Sequence, residues 1–279
     1  MLENYIDLGR LRTRYLEEGA GPVVLLLHDT SLGSSSDVWV RSLADLAAQG
    51  LRAIAPDLPG FGLTDNPADH SLAARVEFIP EFLDALGIDR AHVVGHSQSG
   101  PIAVRLAIAH PARVGKIVVL GTANMLPPLP DSAAGDLAEG DEGDDAEPTI
   151  YETRRRLADS LFDQSLLTPE AVALRHRMST GKNFSAFLSR RAAKAGAKKD
   201  AKPLWQRLDE VKAPMRLIYG RQDRSAERRA ALAKQRFPSL DLHLIDRCRH
   251  LVQWDAPGHV SSLVGEFLAP VERSTSVAP

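Results

Sequence analysis

The segment Gly95-His96-Ser97-Gln98-Ser99-Gly100 lies between a predicted strand, residues 92–94, and a predicted helix, residues 98–110. A serine in a tight turn from strand to helix is held in a strained backbone conformation, and its hydroxyl is exposed above the sheet. Gly95 and Ser99 are small, which lets the strand and the helix approach closely. The alternative is an ordinary glycine- and serine-rich turn, because short motifs also occur by chance.

Two residues that could activate this serine follow predicted strands later in the chain. Asp223 comes after strand 215–219, and His250 comes after strand 242–245, just before the last predicted helix. A serine hydroxyl is a weak nucleophile, so it needs a general base that an acidic residue orients. The chain order serine, aspartate, histidine differs from that of both major serine protease classes. The alternatives are a turn-capping aspartate and a surface histidine, and an aspartate after Gly121 competes for the role of the acid.

The chain on either side alternates short β-branched runs with helix-length segments, which predicts an α/β fold with a mostly parallel central sheet and helices on both faces. Val23–Leu27 is wholly apolar and is therefore expected in the middle of the sheet. A kink or a restart is expected at Pro80, inside one of the helices. The predicted strands are residues 5–8, 11–16, 23–27, 52–55, 92–94, 116–120, 215–219 and 242–245. The predicted helices include residues 71–86, 98–110 and 260–268.

The composition changes after Leu126, where three prolines lead into a tract, 131–147, that has eight acidic residues and neither lysine nor arginine. Such a tract buries too little apolar surface to order itself, so an acidic mobile loop is expected. Helical patterns return over 149–188, and an alanine- and lysine-rich basic stretch covers 190–202. The predicted units are a core, residues 1–126, an inserted helical lid, residues 127–203, and a second part of the core, residues 204–279.

The overall composition excludes several classes of partner. A net charge of −2 and a pI near 6.5 give no positive surface for a phosphate backbone, so no nucleic acid is expected. No run approaches the roughly 18 apolar residues that span a bilayer, so no membrane insertion is expected. The chain has a single cysteine, Cys248, and its acidic start lacks the pattern of a secretion signal, so a cytoplasmic protein is expected. Cys248 itself is expected to be a packing residue. His28 and His96 lack further ligands, so no metal site is expected.

From Val23 to Leu268 the chain resembles the α/β-hydrolase superfamily. Residues 57–62, Asp-Leu-Pro-Gly-Phe-Gly, are similar to a conserved turn of that superfamily, and residues 26–28, Leu-Leu-His, to the entrance of its oxyanion loop. The resemblance implies that the backbone N–H groups of Thr30 and Gln98 stabilise an oxyanion, since every residue except proline carries this donor.

A narrower resemblance is to the meta-cleavage product hydrolases. Residues 161–170, Leu-Phe-Asp-Gln-Ser-Leu-Leu-Thr-Pro-Glu, together with Arg175, are similar to the helical lid of these enzymes. Residues 248–254, Cys-Arg-His-Leu-Val-Gln-Trp, resemble their C-terminal block. Members of this family hydrolyse carbon-carbon bonds in vinylogous diketones from aromatic ring cleavage, without a cofactor. The same activity is therefore expected of this chain.

This resemblance gives the candidate residues their expected roles. Ser97 attacks a carbonyl carbon or activates water, His250 transfers the proton, and Asp223 orients His250 and stabilises its charged form. Arg175 is expected to contact the carboxylate end of the substrate, and the alternative is a solvated arginine on the lid surface. The other expected substrate-binding residues are His28, Leu251 and Trp254.

The chain departs from the family pattern around the expected site. The glycine-rich oxyanion loop of the family reads here His28-Asp29-Thr30-Ser31-Leu32-Gly33, and Leu251 stands in place of a tryptophan. Residues 37–39 fall about where the family has an asparagine near the substrate enol. A carboxylesterase or lactonase would use the same machinery, and a binding protein on the same fold is a second alternative. The expected partner is a small molecule, a carboxylated ketone or ester, and the sequence leaves a homo-oligomer open.

Overall fold

The computed structural model describes residues 1–130, 145–197 and 202–269. Strands in these residues are β1 (Leu2–Leu8), β2 (Leu11–Glu18), β3 (Val23–Leu27), β4 (Arg52–Pro56), β5 (Ala91–His96), β6 (Val114–Leu120), β7 (Met215–Gly220) and β8 (Leu242–Ile245). They form one sheet in the order β1-β2-β4-β3-β5-β6-β7-β8. The hairpin of β1 and β2 is antiparallel to β4, and all other neighbours are parallel. The predicted mostly parallel sheet is confirmed.

Helices cover both faces of this sheet. They are α1 (Val40–Ala48), α2 (Leu72–Ala85), α3 (Ser99–Ala109), α4 (Ile150–Ser160), α5 (Pro169–Arg177), α6 (Lys182–Ala195), α7 (Ala226–Arg236), α8 (Val252–Asp255) and α9 (Pro257–Leu268). Each of the three predicted helices corresponds to one of them, namely α2, α3 and α9. The layers are therefore those of an α/β fold with a doubly covered sheet.

The apolar strand β3 lies between β4 and β5, in the middle of the sheet as predicted. Leu25 and Leu27 belong to the core beneath α2 and α3, whereas Val24 and Leu26 belong to the core beneath α1 and α9. Successive side chains of a strand point to opposite faces, so a strand covered on both faces needs apolar residues at every position. Burial on both faces therefore holds β3 in the middle of the sheet, and the loop after β3 starts from a fixed position.

Helix α2 contains Pro80 and is continuous, so the restart is wrong, whereas the alternative of a kink at Pro80 stays a prediction. Proline lacks the N–H group that would bond the carbonyl of Val76, which weakens one turn of the helix. Val76, Ile79 and Pro80 itself are buried, and this packing holds the helix together. Gly87, with a φ of +67°, follows the end of the helix in a conformation that glycine adopts without strain.

In the described residues between β6 and β7 lie the helices α4, α5 and α6, in the part of the chain where helical patterns were predicted. We call residues 145–197 the helical insertion. Helix α4 begins with a capping box in which Thr149 and Glu152 satisfy each other's backbone N–H groups. The carboxylate of Asp255 accepts hydrogen bonds from the backbone N–H groups of Phe162 and Asp163, which ties the insertion to the C-terminal part of the core.

Two structural predictions keep their status as predictions. The acidic loop, 131–147, lies outside the described residues except for 145–147, and the lid boundaries of 127–203 are not decided by the helix positions. Among the helices of the described residues, none has the length and apolar character needed to cross a bilayer.

Candidate active site

Ser97 occupies the tight turn between β5 and α3 that the sequence predicted. Its φ is +53°, in the left-handed region that residues with a side chain rarely adopt. A side chain at Gly95 would collide with the carbonyl oxygen of Ser99, and one at Gly100 would collide with the hydroxyl of Thr122. The small residues of the motif are therefore needed for the close approach of strand and helix, and the strained backbone places the Ser97 hydroxyl at the cavity wall.

The structure brings Ser97, His250 and Asp223 together in one hydrogen-bonded row. The Oγ atom of Ser97 lies 3.0 Å from Nε2 of His250, and Nδ1 of His250 lies 3.0 Å from Oδ2 of Asp223. Asp223 follows β7 in a turn closed by a 3.1 Å bond from its N–H to the carbonyl of Gly220. A side chain at Gly220 would collide with the carbonyl of Cys248, so glycine lets the loop that carries His250 pack here.

The protonation of this row follows from the surroundings of Asp223. Burial opposes ionisation of its carboxyl, but the hydrogen bond and charge of His250 outweigh burial and hold the pKa of Asp223 below its usual value. An ionised Asp223 accepts the Nδ1 proton of His250, which leaves Nε2 unprotonated and able to accept the Ser97 hydroxyl proton. The arrangement suits proton abstraction from a serine hydroxyl.

His96 forms a second support for the loop of His250, and the sequence analysis had considered it only as a poor metal ligand. Its Nε2 lies 2.9 Å from the backbone carbonyl of His250, and the two rings are 5.0 Å apart between centroids. Burial and the neighbouring His250 lower the pKa of His96 to about 4, so the ring is neutral. Because a carbonyl only accepts, the single proton of His96 is on Nε2.

Asp29 lies in the loop after β3, at a position where the family that the sequence resembles has a glycine, and it organises this loop. Its Oδ1 accepts a 2.7 Å hydrogen bond from the N–H of Ser31, and the hydroxyls of Ser31 and Ser34 donate to the same atom. Arg175 donates a 2.8 Å hydrogen bond to the Ser31 hydroxyl and lies 3.9 Å from Oδ1. Burial opposes ionisation, but the charge of Arg175 and the hydrogen bonds from these hydroxyls hold the pKa of Asp29 far below its usual range.

Arg175 lines the cavity, as expected of a substrate-binding residue, but the structure also gives it partners within the protein. Asp29 compensates its charge and Ser31 accepts one of its hydrogen bonds. This arrangement is not among the predictions from the sequence, in which Asp29 counts only as the loss of a glycine. A buried acid replacing a glycine, in a chain that keeps the arginine, was the available signal.

Three predicted substrate-binding residues do not line the described part of the cavity, and their role in binding stays a prediction. His28 is fully buried, its Nδ1 bonded to the carbonyl of Asp29 and its Nε2 accepting from the N–H of Leu58. Leu251 is buried in the apolar core, and the indole N–H of Trp254 donates to the carbonyl of Val38. Each of these side chains has a structural role.

The predicted oxyanion donors, Thr30 and Gln98, follow two neighbouring strands. Thr30 lies in the loop after β3, and Gln98 directly precedes the first residue of α3. Parallel strands end at one edge of the sheet, so both backbone N–H groups are near the Ser97 turn. Their role stays a prediction.

The cavity beside the row of three residues has a volume of about 590 Å³. Its wall combines the loops after β3, β5, β6 and β7 with residues of the helical insertion. Ser97, Asp223 and His250 are part of this wall, together with Arg175 from α5 and Thr153 from α4. The space accommodates a small organic molecule. Within the described ranges, no group of three or more His, Cys, Asp or Glu side chains is placed to hold a metal ion.

Cys248 is expected to resist alkylation in the folded protein. It is fully buried, and burial together with the charges of Asp255 and Asp246 raises the pKa of its thiol to about 12, which suppresses the reactive thiolate. Mass spectrometry after iodoacetamide treatment at pH 7.5 should show no adduct on the native protein and full modification after unfolding in guanidinium chloride. Rapid modification of the native protein would contradict a packing role.

Comparisons with known proteins agree with this architecture. The family model described as alpha/beta hydrolase fold matches residues 22–257. The 2-hydroxy-6-oxononadienedioate/2-hydroxy-6-oxononatrienedioate hydrolase 1 of Dechloromonas aromatica (strain RCB) is 32% identical, over 92% of this chain and 91% of that protein. The 2-hydroxymuconate semialdehyde hydrolase of Pseudomonas sp. (strain CF600) is 30% identical, over 98% of both chains.

A solved structure is similar over the same length. The meta-cleavage product hydrolase CumD from Pseudomonas fluorescens IP01 superimposes with a TM-score of 0.75 at 28% identity, covering 96% of this chain and 97% of that one. The family match spans more than half of the chain. It includes β5, β7 and β8 and the turns after them, which carry Ser97, Asp223 and His250. The chain therefore belongs to the alpha/beta hydrolase fold family.

Proposed function

We propose that the protein is a serine hydrolase that cleaves a carbon-carbon bond in a vinylogous diketone acid derived from aromatic ring cleavage. The observation that carries this proposal is the row of Ser97, His250 and Asp223, with both hydrogen bonds at 3.0 Å, at the wall of a cavity of small-molecule size. The names of the similar hydrolases from Dechloromonas and Pseudomonas support the same class of substrate. The proposed reaction needs no cofactor.

In this reaction Ser97 attacks the carbonyl carbon, or activates a water molecule that attacks it. Nε2 of His250 accepts the hydroxyl proton over the 3.0 Å contact, while ionised Asp223 stabilises the imidazolium that forms. The proposed oxyanion donors are the backbone N–H groups of Thr30 and Gln98, which would stabilise the negative charge on the carbonyl oxygen. The histidine then returns its proton to the leaving group.

Cleavage of a carbon-carbon bond adds one requirement to this scheme. The dienol has to ketonise before the attack, because only then does the neighbouring ketone delocalise the electron pair left on the departing carbon. That carbon takes up a proton, and the oxygen of one water molecule ends in the new carboxylate. Proton transfer by His250 in both directions serves each of these steps.

The helical insertion is proposed to act as a lid, because Thr153, Arg156 and Arg175 from it line the cavity together with Ser97. The full span of the proposed lid is 127–203. A cytoplasmic location is also proposed, and it is supported by the single, buried Cys248, which suits a reducing compartment.

A carboxylic ester hydrolase is the second candidate, and one contact favours it. Asp29 places a carboxylate of the protein itself beside Arg175, the residue that the resemblance assigns to the carboxylate of the substrate. An ester or lactone without a free carboxylate would not need this arginine. A non-catalytic binding protein is disfavoured by the aligned hydrogen bonds of Ser97, His250 and Asp223.

A substrate panel tests the proposed function. It should contain a monocarboxylated dienol, a dicarboxylated dienol, a p-nitrophenyl ester and a lactone, with the Ser97→Ala variant as the control for background hydrolysis. We expect the dienol absorbance to disappear at a rate at least tenfold above that control. Efficient turnover of the ester or lactone with no turnover of either dienol would instead establish the ester hydrolase, and no turnover at all would favour a binding protein.

A further inference from the structure

Among the described residues, the cavity wall carries more positive than negative side chains. The carboxylates in this described part of the wall are Asp159 and Asp223, and Asp223 is already paired with His250. The arginines on the wall are Arg156, Arg175, Arg224, Arg229 and Arg249. A cavity with this excess of positive charge attracts anionic molecules, but only a guanidinium with donors left over can bind one directly.

Two of these arginines are engaged with the protein. Arg175 donates to Ser31 and lies beside the buried Asp29, so its charge is compensated internally. Arg229 is buried and donates hydrogen bonds to three backbone carbonyls of the segment after β6, those of Ala123, Leu126 and Pro127. Both guanidinium groups hold loops of the cavity wall in place.

Two others lie toward the solvent. Arg224 and Arg249 are exposed, and the Nη1 atom of Arg249 donates a 3.4 Å hydrogen bond to the carbonyl of Asp159. Solvation and screening weaken the attraction of exposed charges for an anion. Arg224 and Arg249 are therefore better placed to attract an anion toward the cavity than to hold it by a fixed contact inside.

Arg156 differs from the other four. It lies on α4, is half-buried, and shares the cavity wall with its helix neighbours Thr153 and Ser160. Among the described residues, none accepts a hydrogen bond from its guanidinium or lies within ion-pair distance of it. Glu152, one turn earlier on α4, acts on Arg156 electrostatically, but its carboxylate is bonded to Thr149. Its planar fork of donors matches the two oxygens of a carboxylate.

We propose that Arg156 binds the carboxylate of the substrate, and that Arg175 is a positioning residue that holds the oxyanion loop through Ser31 and Asp29. This assignment rests on the proposed serine hydrolase activity, but it does not require carbon-carbon cleavage. It identifies the substrate class as an anionic acyl compound, whose carboxylate contacts α4 of the helical insertion. Arg175, the arginine to which the family resemblance assigns the substrate carboxylate, then acts on the loop after β3 instead.

The test uses two p-nitrophenyl esters of similar size, a neutral butyrate and an anionic hemiglutarate. The readout is the ratio of kcat/KM for the anionic ester to that for the neutral ester. In Arg156→Ala this ratio should fall about 10- to 100-fold, the range of a hydrogen bond to a charged group. Arg155→Ala removes an exposed arginine of the same helix that does not line the cavity, and the ratio should stay unchanged.

Arg175→Ala should lower kcat/KM for both esters by a similar factor and leave the ratio unchanged. An unchanged ratio in Arg156→Ala, or a ratio that falls in Arg175→Ala instead, would overturn the assignment. If the wild type hydrolyses neither ester, calorimetry with Ser97→Ala decides: a dienol acid should bind at least tenfold more tightly than its methyl ester, and Arg156→Ala should remove that preference. Equal binding of acid and methyl ester would overturn the proposal while leaving carbon-carbon cleavage to the substrate panel.

Discussion

Replacement of Ser97 by alanine is expected to lower kcat by about 10⁶, the size of loss measured when the nucleophile of a serine protease triad is removed. The row with His250 and Asp223 has no function without the hydroxyl that its proton transfer activates, since Nε2 of His250 lies 3.0 Å from that Oγ. KM should change little, because the side chain removed is small. Single-turnover rates on the best compound of the substrate panel provide the measurement.

A fluorophosphonate probe gives a second measurement for the same residue. It should label Ser97 in the wild type and nothing in Ser97→Ala. Ser99→Ala is the matched control, because Ser99 lies two residues away and its hydroxyl donates a hydrogen bond to the backbone carbonyl of His28. Labelling that persists at another residue in Ser97→Ala would show that the nucleophile has been misassigned.

Replacement of Asp223 by asparagine is expected to lower kcat by about 10⁴, as the analogous change does in a serine protease. The shape is retained, but an amide nitrogen facing Nδ1 of His250 donates a hydrogen bond where the carboxylate accepted one. The histidine proton then resides on Nε2, which can no longer accept the proton of Ser97. The pH dependence of kcat, measured beside that of the wild type, should show the loss at every pH from 6 to 9.

Two controls separate the acid from other carboxylates. Asp159→Asn removes a second carboxylate of the described cavity wall, and it should cost far less, because Asp159 is exposed and none of the described hydrogen bonds joins it to His250. Deletion of residues 131–147 removes the acidic tract that offers competing aspartates, and it should also cost far less than Asp223→Asn. Equal losses from the deletion and from Asp223→Asn would mean that the acid lies in the tract.

The fold was predictable because its main signals are local. A fully apolar run such as Val23–Leu27 has to be covered on both faces, which places it in mid-sheet. Short strands closed by glycine or proline, separated by helix-length segments, then give a parallel sheet. Ser97, Asp223 and His250 follow from this topology, since residues that come after parallel strands collect at one edge of the sheet. The distances between them, 3.0 Å in both cases, needed the structure.

The rest of the site depends on contacts between distant parts of the chain. Trp254 donates to the carbonyl of Val38, and His28 accepts from the N–H of Leu58. No local sequence pattern reveals these partners, and neither side chain lines the described part of the cavity. Pro80 is tolerated in α2 because the helix face around it is buried. The pairing of Arg175 with Asp29 joins residues from the insertion and from the loop after β3, which sequence separation conceals.

That pairing also limits how this enzyme can change. Gly33 packs against the carbonyl of Arg175 and the hydroxyl of Ser179, so α5 and the loop after β3 form one unit with little room between them. A mutation that shifts α5 to admit a bulkier molecule would also displace the loop after β3 and change the position of Thr30, the predicted oxyanion donor. A wider substrate range gained by moving α5 is therefore expected to lower kcat. Laboratory evolution of breadth should succeed first at α4 and α6, where no such bond to the loop is present among the described residues.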